Sequence, residues 1–204
     1  MSEPKSQVAE RAFDVLSKAY EFHAADDARR EGIYPYFKPF DYHDGPEGVI
    51  DGKRVTMFGS NNYLGLTTHP KVQEAAAAAI SNFGTSMTGS PFVNGSIRLH
   101  GEFEEKIADF YGRESALVFT TGYQVNLALG SALLGAENSV AVVDRSVHAS
   151  IYDGVRLGQA AGGRMVRFRH NSAVSLERAL SKLADNESAL VMTDGVFSSE
   201  GDIA

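Results

Sequence analysis

The sequence predicts an α/β fold built on a mainly parallel sheet. Apolar, β-rich runs at 116–119, 140–143, 165–168 and 189–192 alternate with helical segments near 122–134, 148–158 and 173–184. Strands that alternate with helices in this way build βαβ units, which place the strands side by side in one parallel sheet. Composition agrees: 43% hydrophobic and 22% charged residues over 204 positions suit a globular protein with a sizeable buried core.

From Ser6 to Arg30 the apolar residues Val8, Ala12, Val15, Leu16, Ala19 and Phe22 recur at helical spacing with charges between them. The pattern predicts an amphipathic N-terminal helix packed against a larger body. Residues 33–46, rich in Tyr, Phe, Pro and Gly, read as a connector. Val49-Ile50-Asp51-Gly52-Lys53-Arg54-Val55 is a hairpin signal with Asp-Gly at the turn. The first 58 residues are therefore expected to form a helix-and-hairpin segment, and residues 59–204 a larger domain. That domain opens with helices over 69–83, with Pro70 in the first turn, and over 97–111, joined by the Gly/Ser/Thr-rich loop 84–96. The βα alternation follows from Ser115 onward.

Charge and residue usage exclude several classes of function. Nineteen basic against twenty-six acidic residues give a net charge of −7, which disfavours binding to phosphate backbones or anionic membranes. Without cysteine there is no disulfide framework, thiolate metal site or thiol nucleophile. No two of the six histidines stand at metal-ligand spacing, so no metal site is expected. No signal-peptide pattern opens the sequence and no apolar run approaches the roughly 20 residues of a membrane span, so a cytoplasmic protein without a membrane span is expected.

Three stretches could carry chemistry. Thr120-Thr121-Gly122-Tyr123-Gln124-Val125-Asn126 follows a predicted strand and opens a helix. Free N–H groups at such a helix start can hold a phosphate, glycine allows close approach, and Thr121 adds a hydroxyl. Taken alone, a plain strand-to-helix turn capped by Thr is the default. His148, in Asp144-Arg145-Ser146-Val147-His148-Ala149-Ser150-Ile151-Tyr152-Asp153-Gly154, stands just beyond a strand, where α/β folds hold cofactors, and its imidazole could stack on a flat ring. A lone histidine is more often structural, but this setting favours the site. Asn61-Asn62-Tyr63-Leu64-Gly65-Leu66 reads as a turn whose amide and phenol groups could also reach a ligand.

Together with Asp194-Gly195-Val196-Phe197-Ser198, these motifs resemble the α-oxoamine synthases from about Val49 to Ala204. Those are pyridoxal 5'-phosphate (PLP) enzymes that condense an amino acid with an acyl-thioester. Thr121-Gly122-Tyr123, the His148 motif and Val166-Arg167-Phe168-Arg169-His170-Asn171-Ser172 are most similar to those of bacterial serine palmitoyltransferases. The resemblance implies fold type I of the PLP-dependent transferases, here an incomplete large domain, and a homodimer with active sites at the subunit interface. It further implies that Thr121, Gly122 and Tyr123 bind the PLP phosphate, that His148 stacks on the pyridine ring and orients the amino-acid carboxylate, and that Ser198 touches the ring. Asn62 would reach the substrate in the partner's site. This sequence departs from the family's usual Gly-Ser-Arg, having Pro91 in place of the arginine at Gly89-Ser90-Pro91.

The implied chemistry needs a lysine for the Schiff base and an aspartate on the pyridine nitrogen. In the family both lie beyond the segment that matches Gly201-Asp202-Ile203-Ala204, and the lysines at 5, 18, 38, 53, 71, 106 and 182 do not match the lysine motif. The expectation is the N-terminal part of an acyltransferase that joins serine to a long-chain acyl-CoA, as in sphingoid base synthesis, inactive as 204 residues alone. The alternatives are a glycine-using relative, of the 2-amino-3-ketobutyrate CoA ligase or the 8-amino-7-oxononanoate synthase type, or a non-catalytic interaction subunit that lacks the Schiff-base lysine.

Overall fold

A computed structural model describes residues 16–204. The chain divides into two units that meet in sequence at Gly89 and Ser90.

In the first unit the N-terminal helical reading holds in two pieces, α1 (Ser17–Tyr20) and α2 (Ala24–Arg30), and residues 6–15 lie outside the described part. Residues 21–23 interrupt the single helix that the periodicity predicts, and neither piece buries a residue. Short helices are marginal unless an apolar face is covered, so local pairs support α2 instead. Arg29 reaches Asp26 at 2.8 Å and lies 4.3 Å from the Tyr34 ring centroid. The hairpin forms as predicted and gains a strand: β1 (Tyr42–Asp44), β2 (Glu47–Ile50) and β3 (Lys53–Thr56) make an antiparallel sheet. Ile50 faces Lys53, and Asp51 and Gly52 between them both take positive φ, 50° and 70°, the geometry of a type I′ turn. Helix α3 (Pro70–Phe83) begins at His69, whose Nδ1 accepts from the Lys71 N–H at 3.2 Å.

The second unit opens with α4 (Arg98–Tyr111), closed by Gly112 in the left-handed conformation. Then come α5 (Gly122–Leu133), β4 (Ser139–Asp144), α6 (Ala149–Ala160), β5 (Arg164–Phe168), α7 (Ala173–Leu180) and β6 (Ser188–Met192). The strands form one parallel sheet in the order β5-β4-β6. Every residue of β4 is buried, as expected of a central strand covered on both faces. Its alternation separates two cores. Ala141 and Val143 pack with Leu134, Ile151, Val155, Met192 and Phe197, whereas Val140 and Val142 pack with Phe168 and Ala179.

Two expectations change. The run 116–119 forms no strand. β-propensity produces a strand only where a neighbour takes up the backbone groups, and the Val118 N–H donates instead to the Glu104 carboxylate at 3.0 Å. Helix α7 ends at Leu180, short of the predicted 184, and continues as a tight turn in which the Leu183 N–H donates to the Leu180 carbonyl.

Candidate functional site

Glycines bring the two helices of the site together. A Cβ on Gly154 would lie 2.1 Å from the Asn126 carbonyl oxygen, and one on Gly130 would lie 2.1 Å from the Gly154 carbonyl oxygen. A Cβ on Gly158 would meet Leu134 at 2.5 Å. Backbone therefore packs on backbone along this seam, an approach that only glycine permits. The contacts advance in the same direction along both helices, so α5 and α6 run parallel and their N-termini lie side by side.

Both N-termini are capped by the residues singled out in the sequence. Thr121 Oγ1 accepts from the Gln124 N–H at 3.2 Å at the head of α5. The N–H groups of Gly122 and Tyr123 make no hydrogen bond among the described residues, and the space beside the Gly122 Cα is open. These are the donors a helix start offers to an anion. The Tyr123 phenol donates to the Asp153 carboxylate on α6. That bond raises the phenol's pKa above its ordinary value and lowers the carboxyl's, and Arg156 supports the latter at 2.6 Å.

His148 caps α6 just beyond β4 and is exposed. Its N–H donates to the Asp194 carboxylate at 2.8 Å. Its Nδ1 accepts from the Ser150 N–H at 3.2 Å and lies 2.7 Å from Ser150 Oγ. Ser150 Oγ in turn accepts from Asn126 Nδ2 at 2.8 Å. Ser198 stands exposed in the turn after Phe197, whose side chain is fully buried, and the turn is closed by the Gly201 N–H on the Phe197 carbonyl. Asn62 belongs to the first unit. There its Nδ2 donates to Thr67 Oγ1 at 2.8 Å, and its backbone carbonyl accepts from Gly65, at φ 65°.

Sequence reading missed a second cluster at the carboxyl ends of β4 and β5. Asp144 is fully buried and accepts from the N–H groups of Ser146 (2.8 Å) and Asn171 (2.7 Å) and from His170 Nδ1 (3.1 Å). Burial pushes its pKa up, but these donors outweigh burial and hold it below the ordinary value. The other His170 nitrogen faces Asp202 at 3.2 Å, and its ring packs edge-on against Phe197. The bond to Asp144 raises the His170 pKa, with Asp202 adding to the effect against the opposing cost of burial. The signal available in sequence was a polar residue just past each of two β-rich runs, Asp144 after 140–143 and His170-Asn171 after 165–168.

The parallel sheet, the paired helix starts and the capping histidine at a strand end define a cofactor-binding α/β domain. The profile of the "Aminotransferase class I and II" family matches residues 53–204, and the chain belongs to that family. It is 42% identical over 182 residues to a serine palmitoyltransferase of Sphingobacterium spiritivorum, covering 89% of this chain and 45% of the relative. It is 41% identical over 179 residues to an 8-amino-7-oxononanoate synthase of Thioalkalivibrio sulfidiphilus, covering 88% and 45%. Among solved structures, a serine palmitoyltransferase from S. paucimobilis with a bound PLP–myriocin aldimine superposes with a TM-score of 0.86 at 37% identity, covering 94% of this chain and 48% of that one. The chain thus spans a little under half the length of these relatives, and its sheet is part of a fold-type-I domain.

Proposed function

We propose that this chain carries the part of an α-oxoamine synthase that grips the PLP phosphate and stacks on its ring, in an enzyme that condenses an amino acid with an acyl-thioester. The observation that carries the reading is the pairing of unbonded donors at the start of α5 with the capping His148 at the start of the parallel α6. Relatives of both the serine palmitoyltransferase and the oxononanoate synthase kind support the reaction class.

The residues fit the cofactor. Gly122 and Tyr123 N–H groups would hold the phosphate, and the Thr121 hydroxyl, which accepts from Gln124, keeps its hydrogen free to donate. His148 would pack its flat ring on the pyridine, and Ser198 would meet the ring's edge. When bound, PLP supplies an electron sink for charge that develops at the amino acid's α-carbon. This chain's part is to anchor, to orient and, through Asp194, to fix the backbone from which His148 projects. The Schiff-base lysine and the aspartate on the pyridine nitrogen would come from sequence outside these 204 residues. Serine with a long-chain acyl-CoA is the favoured pair, and Asn62 is proposed to reach the substrate across a homodimer interface in a cytoplasmic enzyme. The oxononanoate synthase type is the second reading, because its identity to this chain is nearly that of the palmitoyltransferases.

The test is CoA release by the complete protein with PLP, measured with a thiol reagent across amino acids and acyl-CoA chain lengths. Release with serine and palmitoyl-CoA supports the favoured pair. Release only with alanine and pimeloyl-CoA, the pair whose carbons make up 8-amino-7-oxononanoate and which replaces the glycine expected from the sequence, shifts the assignment to the second reading, and no release with any pair removes the acyltransferase reading.

A further inference from the structure

We infer that Ser150 and Asn126 are positioning residues that hold the His148 imidazole with Nδ1 unprotonated and Nε2 carrying the hydrogen. The argument follows donors and acceptors along one chain of bonds. A backbone N–H can only donate, and that of Ser150 points at His148 Nδ1 from 3.2 Å. Nδ1 must therefore present its lone pair. Ser150 Oγ, 2.7 Å from the same nitrogen, can then only donate its single hydrogen to it. The hydroxyl's lone pairs are left to accept, and Asn126 Nδ2 donates to them from 2.8 Å. Three bonds thus agree on one assignment. Ser150 is buried at 1% exposure, so water does not compete for its hydroxyl.

The packing explains why the relay exists. Asn126 reaches Ser150 because α5 and α6 meet backbone to backbone at Gly154 and Gly130. The phosphate-gripping helix therefore sets the state of the histidine at the head of its neighbour. With Nδ1 committed to the helix cap, the ring offers the open side an N–H donor at Nε2. A ligand group that meets this edge must accept a hydrogen bond, which favours a carboxylate or another anionic oxygen.

The role proposed for His148 rests on the PLP reading, but the hydrogen assignment does not, so the two can fail separately. The experiment is 15N NMR of the complete native protein labelled at histidine, with His148 assigned by its disappearance in His148→Phe, recorded with and without PLP. The expected native spectrum shows Nδ1 without a directly bonded hydrogen and shifted by accepted hydrogen bonds, and Nε2 with one. In Ser150→Ala the Nδ1 resonance moves toward that of a free lone pair. Asn126→Asp gives the same displacement with Ser150 intact, because the carboxylate draws the serine hydrogen to itself. Ser150→Thr restores the native signal. PLP affinity falls about fivefold in Ser150→Ala, the scale of one ordinary hydrogen bond. A hydrogen on Nδ1 in the native protein, or an Nδ1 resonance indifferent to both Ser150→Ala and Asn126→Asp, overturns the inference. A native tautomer as described in a protein that binds no PLP overturns the proposed function and leaves the relay standing.

Discussion

The peptide N–H of His148 donates to the carboxylate of Asp194 at 2.8 Å across 46 residues of sequence. The bond ties the turn after β4 to the segment after β6, two neighbouring strands of the parallel sheet. His148 is thereby fixed from outside its own helix, while Ser150 fixes its ring from within. Both bonds sit at the carboxyl ends of strands, where open α/β sheets hold their ligands.

Asp194→Ala removes the acceptor and frees the His148 backbone. The bond is solvent-exposed, so the expected loss of stability is small, about 1 kcal/mol. PLP binding should suffer more, because the ring proposed to stack on the cofactor projects from that backbone. Titrating PLP against wild type and variant, alongside thermal melts, checks this. A melt displaced with affinity intact would make Asp194 a folding residue only.

The glycine seam makes a sharper stability prediction. Gly154→Ala places a Cβ 2.1 Å from the Asn126 carbonyl oxygen, where only backbone could yield. Forced separation of packed helices costs about 1–3 kcal/mol. Gly122→Ala is the contrast, since nothing lies within 4 Å of its Cβ position, so stability should hold there. Equal chemical denaturation midpoints for the two variants would contradict the seam.

How much of this was legible beforehand follows from what each residue depends on. The Asp51-Gly52 turn, the cap at Thr121, the place of His148 just beyond β4, and the strands around β4 rest on local pattern, and the structure places them where the pattern did. The run 116–119 needed a neighbouring strand, which no local pattern can reveal, and its Val118 N–H goes to Glu104. His148 stood out by its position beyond a strand, whereas its anchors Asp194 and Asn126 lie 46 and 22 residues away, and their pairing appears only when β6 and α5 are in place. The pairing of His170 was not legible because both of its carboxylates are distant in sequence.

An acid limit to stability is expected at Glu187. Its carboxylate accepts from Arg164 at 2.5 and 2.7 Å and from the Ala184 N–H at 2.8 Å. The Arg164 bond leads in lowering its pKa from 4.5 to about 2. A depressed carboxylate contributes stability that is present above its unfolded value and lost as pH falls through the folded one. The wild type should therefore lose stability between pH 4.5 and about 2 relative to Glu187→Gln, and the variant should be the weaker protein at neutral pH. Denaturation midpoints against pH that stay parallel would count against this pairing.

His170 should act in the opposite direction, at the alkaline side. Carboxylates of Asp144 and Asp202 face its two nitrogens at 3.1 and 3.2 Å, and only the imidazolium can donate to both. The Asp144 bond leads in raising its pKa above 6.5, with Asp202 and the nearby Glu200 charge adding to it. A raised histidine pKa means stability that is full below 6.5 and lost as pH rises through the folded value. Asp144 runs the other way, with its contribution present above 3.8 and lost in acid. The cluster is thus strongest between these limits. It holds the last residues of the chain, because Asn171 Nδ2 also bonds the Ile203 carbonyl at 2.8 Å and the Phe197 N–H bonds the Asp202 carbonyl. Hydrogen exchange at the Phe197 and Gly201 amides should accelerate above pH 6.5 beyond the ordinary base-catalysed increase. Asp202→Asn should flatten that excess by removing one partner of the imidazolium, whereas Asp144→Asn should weaken the fold at all pH values by placing an amide nitrogen against buried donors. Exchange that follows the intrinsic pH dependence alone in the wild type would mean that His170 holds this segment by packing on Phe197 and not by charge.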